Sequence, residues 1–428
     1  MRVTLLGVGS RGDVQPLIAL GCGLMDAGHE VLLATHPRFE DSVAAQGLAF
    51  APLAEGHLSQ GAETAAGREW IETGSKRLPT WVGFLRDARS VASRRLMDAV
   101  AACSDADAIV ASNLAFVLGW QISTDRGLPL VRAFLEPPAW MFTKRRPLQR
   151  VAPAIRQLAW LCARPWLNRV RRTSLGLGPL PWREPMASLD RRRMPVLYAF
   201  GAAIAPVPAL QSTGLVTGYW ILEDTIDPDP PVALVEFLAD GPPPVLITFS
   251  TMIDDDPAAR TRLAIDALQR AGVRGVLQLP ADQLPVASLP PDMFAVGEIS
   301  HEWLFPRCAL LVHHAAVGTT AAGLRAGVPA VTIPHMTDQF FWARRLHELG
   351  VSPPPIPRRE LTAPRLADVI RSATSDRQMR LRAMTLSAAV RAEDGVGRAV
   401  EAFERLVVHP VGRQARPRAN HVEVLGKA

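Results

Sequence analysis

The sequence predicts an α/β protein made of two doubly wound, parallel-sheet domains. Short apolar, β-rich runs alternate with helical stretches in both halves, and each half leads into a turn of small residues. A proline-rich, acidic stretch separates the halves. The alternation implies parallel pairing, because neighbouring parallel strands are joined only through a crossover of about a dozen residues or more.

In chain order, RVTLLGVG (Arg2 to Gly9) predicts the first strand, Pro16 to Ala27 a helix closed by Gly28, and HEVLLATH (His29 to His36) the next strand. Together they form a βαβ unit. DAIVASN (Asp107 to Asn113) and PLVRAFL (Pro129 to Leu135) predict later strands of the same sheet. DPDPPV, from Asp227, and the proline run that opens DGPPPVLITFSTM (Asp240 to Met252) place a linker over 221–243. The second half repeats the pattern as VLITFS, a helix over Arg260 to Ala271, RGVLQL, MFAVG, CALLVHH, a helix from Thr319 to Ala326, and PAVTIP. Helical stretches follow Arg359 and end with VGRAVEAFERLV (Val396 to Val407). The expected division is 1–220 as an N-terminal Rossmann-like domain, 221–243 as linker, 244–408 as a second such domain, and 409–428 as a disordered tail.

A content of 48% hydrophobic and 21% charged residues suits a globular chain with full cores. Cys22, Cys103, Cys162 and Cys308 lie far apart without ligand spacing, which argues against a disulfide framework or a cysteine-based zinc site. The opening MRVTLLGVGS lacks the apolar stretch and cleavage site of a signal peptide, and no run reaches the roughly 18 apolar residues of a membrane span. A cytoplasmic chain is expected. The net charge is +6, and the basic residues concentrate from Lys144 to Arg150 and on to Arg191–Arg193, interleaved with Trp160, Trp166 and Trp182. That mixture fits a lipid-facing or hydrophobic-ligand surface better than a nucleic-acid platform; a solvated helix face with buried tryptophans is the plainer alternative.

The stretch from Val312 to Phe340, VHHAAVGTTAAGLRAGVPAVTIPHMTDQF, holds the densest chemistry. In doubly wound sheets ligands sit at the carboxyl ends of strands, where a helix N-terminus offers unpaired N–H groups to a phosphate. His313 and His314 end a strand, Gly318 admits a close backbone approach, and Thr319 and Thr320 add hydroxyls. A tight turn with two capping threonines is the simpler alternative. Likewise Asp13 and Asp338 can each be read as helix N-caps.

This segment resembles the nucleotide-sugar signature of the GT-B glycosyltransferases of family 1, which runs HHGGAGTT, then AG.P, then a DQ pair. His313, His314, Gly318, Thr319, Thr320, Ala326, Gly327, Pro329, Asp338 and Gln339 match it. GSRGDVQPLIALG (Gly9 to Gly21) is similar to the family's acceptor loop, HEWLFPRC (His301 to Cys308) to its base-contacting stretch, and FSTM (Phe249 to Met252) to its FGSM turn. Singly weak, the four places are specific as an ordered set across nearly the whole chain. TTAAGLRAGVP, DQFFWARRLHELGV and PPPIP look most like the sterol 3β-glucosyltransferase branch, with natural-product aglycone glycosyltransferases next.

The resemblance implies two Rossmann-like domains facing a central cleft, and transfer of a hexose with inversion from a UDP- or dTDP-sugar to a hydroxyl of a hydrophobic acceptor. It implies Asp13 as general base. Ser250, Thr251, His314, Gly318, Thr319 and Thr320 would hold the diphosphate, and His301, Trp303 and Leu304 the base. Asp338 and Gln339 would hold the sugar, and Ser10, Arg11, Phe134 and Trp140 the acceptor region. No metal or other cofactor is implied: DPD (Asp227 to Asp229) lies in the linker and DDD (Asp254 to Asp256) reads as a helix start. The partners expected are the nucleotide sugar and the acceptor, with Phe134 to Arg193 either lining the acceptor cleft or making a peripheral membrane contact, and no nucleic acid.

Three departures stand out. Ala315, Ala316 and Val317 replace the family's Gly-Gly-Ala and would crowd the diphosphate; Ser250 replaces a glycine; and Ala322 stands where plant relatives place a ribose-binding Glu. They keep open a second reading, a nucleotide-sugar-binding protein of this fold with lost or auxiliary activity. A dinucleotide enzyme is disfavoured, because GVGSRG (Gly7 to Gly12) echoes GxGxxG only superficially and no acid ends the second strand.

Overall fold

The computed structural model of the chain describes residues 1–55, 91–135, 146–185, 194–202, 204–205, 214–222, 230–248, 256–280, 289–335 and 338–408. The sequence readings at Trp140, Asp227 to Asp229, Ser250, Thr251, Asp254, Asp255 and the tail from 409 lie outside those residues.

The first sheet contains β1 (Arg2–Leu6), β2 (Glu30–Thr35), β3 (Ala49–Pro52), β4 (Ala108–Ser112), β5 (Leu130–Phe134), β6 (Val196–Tyr198) and β7 (Gly214–Val216). Their order is β3-β2-β1-β4-β5-β6-β7, and every pairing is parallel. The second sheet contains β8 (Val245–Thr248), β9 (Gly275–Gln278), β10 (Met293–Val296), β11 (Leu310–His313) and β12 (Ala330–Thr332), ordered β10-β9-β8-β11-β12 and also all parallel. Strands β4, β5, β8 and β11 are buried along their whole length, so they read as mostly apolar runs rather than alternating ones, with Arg132 of β5 the charged exception.

In both sheets the winding reverses at the first strand: β1 lies between β2 and β4, and β8 between β9 and β11. Such switch points open a crevice at the carboxyl ends of the strands. Helix α1 (Arg11–Asp26) leaves the first crevice. It starts ahead of the expected Pro16, because Ser10 and Asp13 cap a first turn that local sequence alone does not announce; Pro16 sits inside the helix.

The remaining helices used below are α2 (Phe116–Arg126), α3 (Arg146–Ser174), α4 (Pro257–Ala271), α5 (Val317–Ala326), α6 (Gln339–Glu348), α7 (Ala363–Ser375), α8 (Arg377–Arg391) and α9 (Gly395–Phe403). Two features tie the sheets together. Trp342 of α6, fully buried, meets Phe200 edge-on at 6.2 Å and Tyr219 at 6.4 Å, and Arg345 Nε donates to the Ile204 carbonyl at 2.5 Å. Helix α9 follows the second sheet in sequence, yet Ala399, Val400 and Phe403 join the core of the first sheet beside Val3, Leu5 and Leu20. Gly23 of α1 provides the clearance, since a Cβ there would meet Val396. The residues from 395 to 408, grouped by sequence with the second half, thus pack on the first.

Candidate active site

The loop between β1 and α1 presents Asp13. Gly9 has φ +136°, and a Cβ on it would collide with the Asp13 carboxyl group, so glycine is required twice over. Ser10 donates its backbone N–H (2.7 Å) and its hydroxyl (2.9 Å) to the same oxygen, Oδ2 of Asp13. Arg38 braces the turn by donating to the Gly9 carbonyl at 2.8 Å while pairing with Glu55 at 3.0 Å, and Gly9 N–H donates to Nε2 of the buried His36 at 3.3 Å. Burial pushes the Asp13 carboxyl above its ordinary range; the two Ser10 bonds pull it back, the charge of Asp338 raises it further, and Arg38 opposes. Arg11, the first residue of α1, is ion-paired with Glu298, which lies just past β10 of the other sheet.

The opposite wall is the turn from β11 into α5. Helix α5 starts at Val317, with Ala316 as N-cap. Gly318, Thr319 and Thr320 therefore occupy its first turn rather than preceding it, and the leading N–H groups have no partner within the helix. Thr320 Oγ1 and His314 Nδ1 are buried without a hydrogen-bond partner. Burial pushes His314 down to about 4, with the positive charge of Arg260 adding to the effect. Burial likewise pushes His313 down to about 3, with His314 and His301 contributing. Both imidazoles are neutral near pH 7. The two histidines differ in role: His313 Nδ1 accepts the Ala315 N–H at 3.0 Å and shapes the turn, whereas His314 keeps polar capacity to spare.

Ala315 marks where the turn departs from the family signature. The residue is fully buried within an apolar cluster that includes Leu311 and Leu324. The departure from glycine shows in the backbone, where φ is +65°, the one positive value for a non-glycine among the described residues.

Asp338 is the N-cap of α6 by position but makes no side-chain capping bond. Gln339, buried, accepts the His335 N–H on Oε1 at 2.9 Å. His335 is pushed down to about 3 by burial, then by Arg358, His314 and Arg260. His314, His335 and the buried guanidinium of Arg260, in the first turn of α4, therefore share one neighbourhood at the carboxyl edge of the second sheet.

In the expected base region, His301 contacts Gln278 Oε1 at 3.2 Å and stacks on Phe305 at 4.2 Å, and Trp303 is half-buried with the Arg307 guanidinium 4.3 Å from its ring centre. Leu304 is fully buried and packs in the core. Phe134 is also buried, stacked on Tyr198 at 5.2 Å with Arg132 at 4.1 Å, so it belongs to the core rather than lining an open surface. Among the described residues no three His, Cys, Asp or Glu side chains converge as a metal site, and Asp256 of the DDD run caps α4 through the Ala259 N–H at 2.8 Å. Sequence reading passed over Arg38, Arg260 and His335. His335 lay within the quoted motif, and Arg260 was named only as the first residue of a helix.

Residues 3–118 match the family model for the glycosyltransferase family 28 N-terminal domain, and residues 262–403 match that for the erythromycin biosynthesis protein CIII-like C-terminal domain. The chain belongs to the GT-B glycosyltransferases of family 1. The chain is 33% identical to a sterol 3-beta-glucosyltransferase of Neosartorya fischeri over 95% of its own length, which is 29% of that protein. It is 32% identical to a sterol 3-beta-glucosyltransferase of Arabidopsis thaliana over 94% of its length, 65% of the plant protein. The chain thus spans under a third of the fungal relative. The GT-B architecture is also that of the solved glycotransferase of kitacinnamycin, with a TM-score of 0.71 and 19% identity over 95% of this chain and 99% of the other. No helix among the described residues is long and apolar enough to cross a membrane.

Proposed function

We propose that this chain transfers a hexose, with inversion, from a UDP- or dTDP-sugar to a hydroxyl of a hydrophobic acceptor such as a sterol-like molecule, a lipid or a polyketide aglycone, without a metal. The observation that carries the reading is the meeting of Asp13, its carboxyl raised by burial, with Asp338 from the other sheet. The first supplies a base and the second a sugar ligand, near enough for the charge of one to act on the other.

The acceptor hydroxyl donates its proton to Asp13 as its oxygen bonds to the anomeric carbon. Both Ser10 bonds use Oδ2, which leaves Oδ1 to take that proton. The bond from the anomeric carbon to the diphosphate breaks on the opposite side, and its electron pair leaves with the diphosphate. The free N–H groups of the first turn of α5, the Thr320 hydroxyl and neutral His314 receive the growing charge there, and the α5 dipole offsets it. Asp338 accepts, and the Gln339 amide donates, hydrogen bonds at the sugar hydroxyls. Ser250 and Thr251, which follow β8 in the sequence, are assigned to the diphosphate by the family resemblance alone. Trp303 provides an aromatic face for the base, with His301 beside it.

Purified protein incubated with UDP-glucose or dTDP-glucose and a sterol tests the proposal. Glycoside formation is expected; Asp13→Asn should abolish it while retaining nucleotide affinity in calorimetry. Absence of nucleotide binding by the wild type would sink the reading. Turnover surviving in Asp13→Asn would remove Asp13 as base. The second reading, a binding protein with lost or auxiliary activity, draws on the strained Ala315 turn; it is the outcome if the donor binds but is neither hydrolysed nor transferred.

A further inference from the structure

Helix α3 is 29 residues long and carries no Asp or Glu. One side of it is spoken for. Trp160 is buried, meets Trp120 of α2 edge-on at 5.5 Å and donates Nε1–H to the Pro181 carbonyl at 3.1 Å. Arg171, also buried, pairs with Asp125 at 3.1 Å, and Arg156 pairs with Glu184 at 3.2 Å.

The other side is exposed and apolar. Ala154, Leu158, Leu161, Cys162 and Pro165 recur at the spacing of one helix face, and all are exposed. Leu158 is 64% accessible. Continued toward the C-terminus, the same face presents Arg169 and Arg172, both exposed and with no carboxylate in ion-pair reach among the described residues. Beside the helix, Trp182 stands 71% exposed, with the Arg164 guanidinium 4.2 Å from its ring centre and its own carbonyl held by Gln157 at 2.9 Å.

We propose that this outer face of α3, with Trp182, docks the chain on an anionic lipid surface. Leucines on one stripe, free arginines continuing it and a tryptophan at its margin are what an interfacial helix presents: the apolar side chains enter the acyl boundary, the indole sits at headgroup depth and the guanidinia meet lipid phosphates. A nucleic acid would leave the leucines uncompensated. Charge complementarity favours a phosphate-bearing bilayer over a second copy of this chain, because two copies would bring Arg169 and Arg172 toward like charges. The proposal stands on this face alone and does not depend on the transfer reaction.

The full chain, pelleted with vesicles of phosphatidylcholine alone or with phosphatidylglycerol added, tests it. Binding is expected with the anionic vesicles and should weaken with salt. Arg169→Glu/Arg172→Glu should lower the partition coefficient about thirtyfold or more, and Leu158→Glu/Leu161→Glu should also abolish pelleting. All four positions are exposed, so melting temperatures should be unchanged. Brominated lipid should quench less fluorescence in Trp182→Phe than in the wild type. The proposal is overturned if neither vesicle pellets the protein, if both double variants bind like the wild type, or if light scattering shows a dimer that the same substitutions dissolve.

Discussion

Asp13 and Asp338 stand on opposite sheets, each at the start of a helix that leaves a carboxyl edge, and the negative charge of Asp338 raises the Asp13 carboxyl. A base must be deprotonated to act, so activity should fall as pH drops through the Asp13 value. Asp338→Asn removes a charge that raises it and should move the acid limb of kcat/KM to lower pH. Ser10→Ala removes a hydrogen bond that lowers it and should move the limb to higher pH. Opposite displacements in two pH–rate profiles are a signature that general damage to the site would not give; displacement in the same direction would refute the coupling.

The buried imidazoles make stability depend on acid. His313 is held near 3 and His314 near 4, whereas an unfolded histidine titrates at about 6.5. Between those values the unfolded chain binds more protons than the folded one, so stability rises with pH and is lost as pH falls below about 6.5. Each imidazole contributes a slope of up to about 1.4 kcal/mol per pH unit. Urea unfolding at several pH values between about 7 and 4.5 should show this loss. His314→Gln should flatten it, and an unchanged slope would show that His314 is not held neutral by the fold.

Arg260 should matter to the nucleotide. It is buried in the first turn of α4, and its charge lowers both His314 and His335. Replacing it with Met keeps bulk and removes charge at the place proposed for the diphosphate. A charge-assisted contact is worth about 1.5–3 kcal/mol, so UDP affinity should fall roughly tenfold or more in calorimetry. The His314 resonances should titrate at higher pH in the variant. Equal affinity together with an unmoved His314 would place the guanidinium outside the site.

The sequence made the two sheets legible because buried parallel strands need continuous apolar runs, and VLITFS and CALLVHH can hardly be anything else. The histidine turn was legible because small residues between a strand and a helix have few other uses. Less visible was whatever depends on distant packing. The early start of α1 rests on a capping pair that competes with the helix-start signal of Pro16. The return of α9 to the first sheet rests on the fit of Val396 against Gly23, residues far apart in sequence. Arg260 resembles any arginine on a helix until folding brings its charge to His314. Phe134 and Leu304 show the converse: apolar residues near a motif go to the core unless something holds them out.

Ala315 separates strain from packing. At φ +65° an alanine gives up about 1–2 kcal/mol that glycine would not. Its buried methyl, however, contributes about 0.8 kcal/mol, and glycine would free the unfolded chain by about 0.5–1 kcal/mol. These terms nearly cancel, so Ala315→Gly should shift stability by less than about 1 kcal/mol. Ala315→Val should behave otherwise, because a β-branched residue is a worse occupant of left-handed backbone and the site has no spare volume: a loss of about 2 kcal/mol or more is expected. Thermal unfolding of the two variants against wild type checks both values. A large loss in Ala315→Gly would mean that packing in the cluster around Leu311 and Leu324, not backbone conformation, fixes alanine here. In the neutral case, UDP affinity measured on the same variant shows what the strained turn does for the ligand: relief of strain at constant affinity makes the alanine incidental, and a fall in affinity makes the left-handed alanine part of how the α5 N-terminus is held in place.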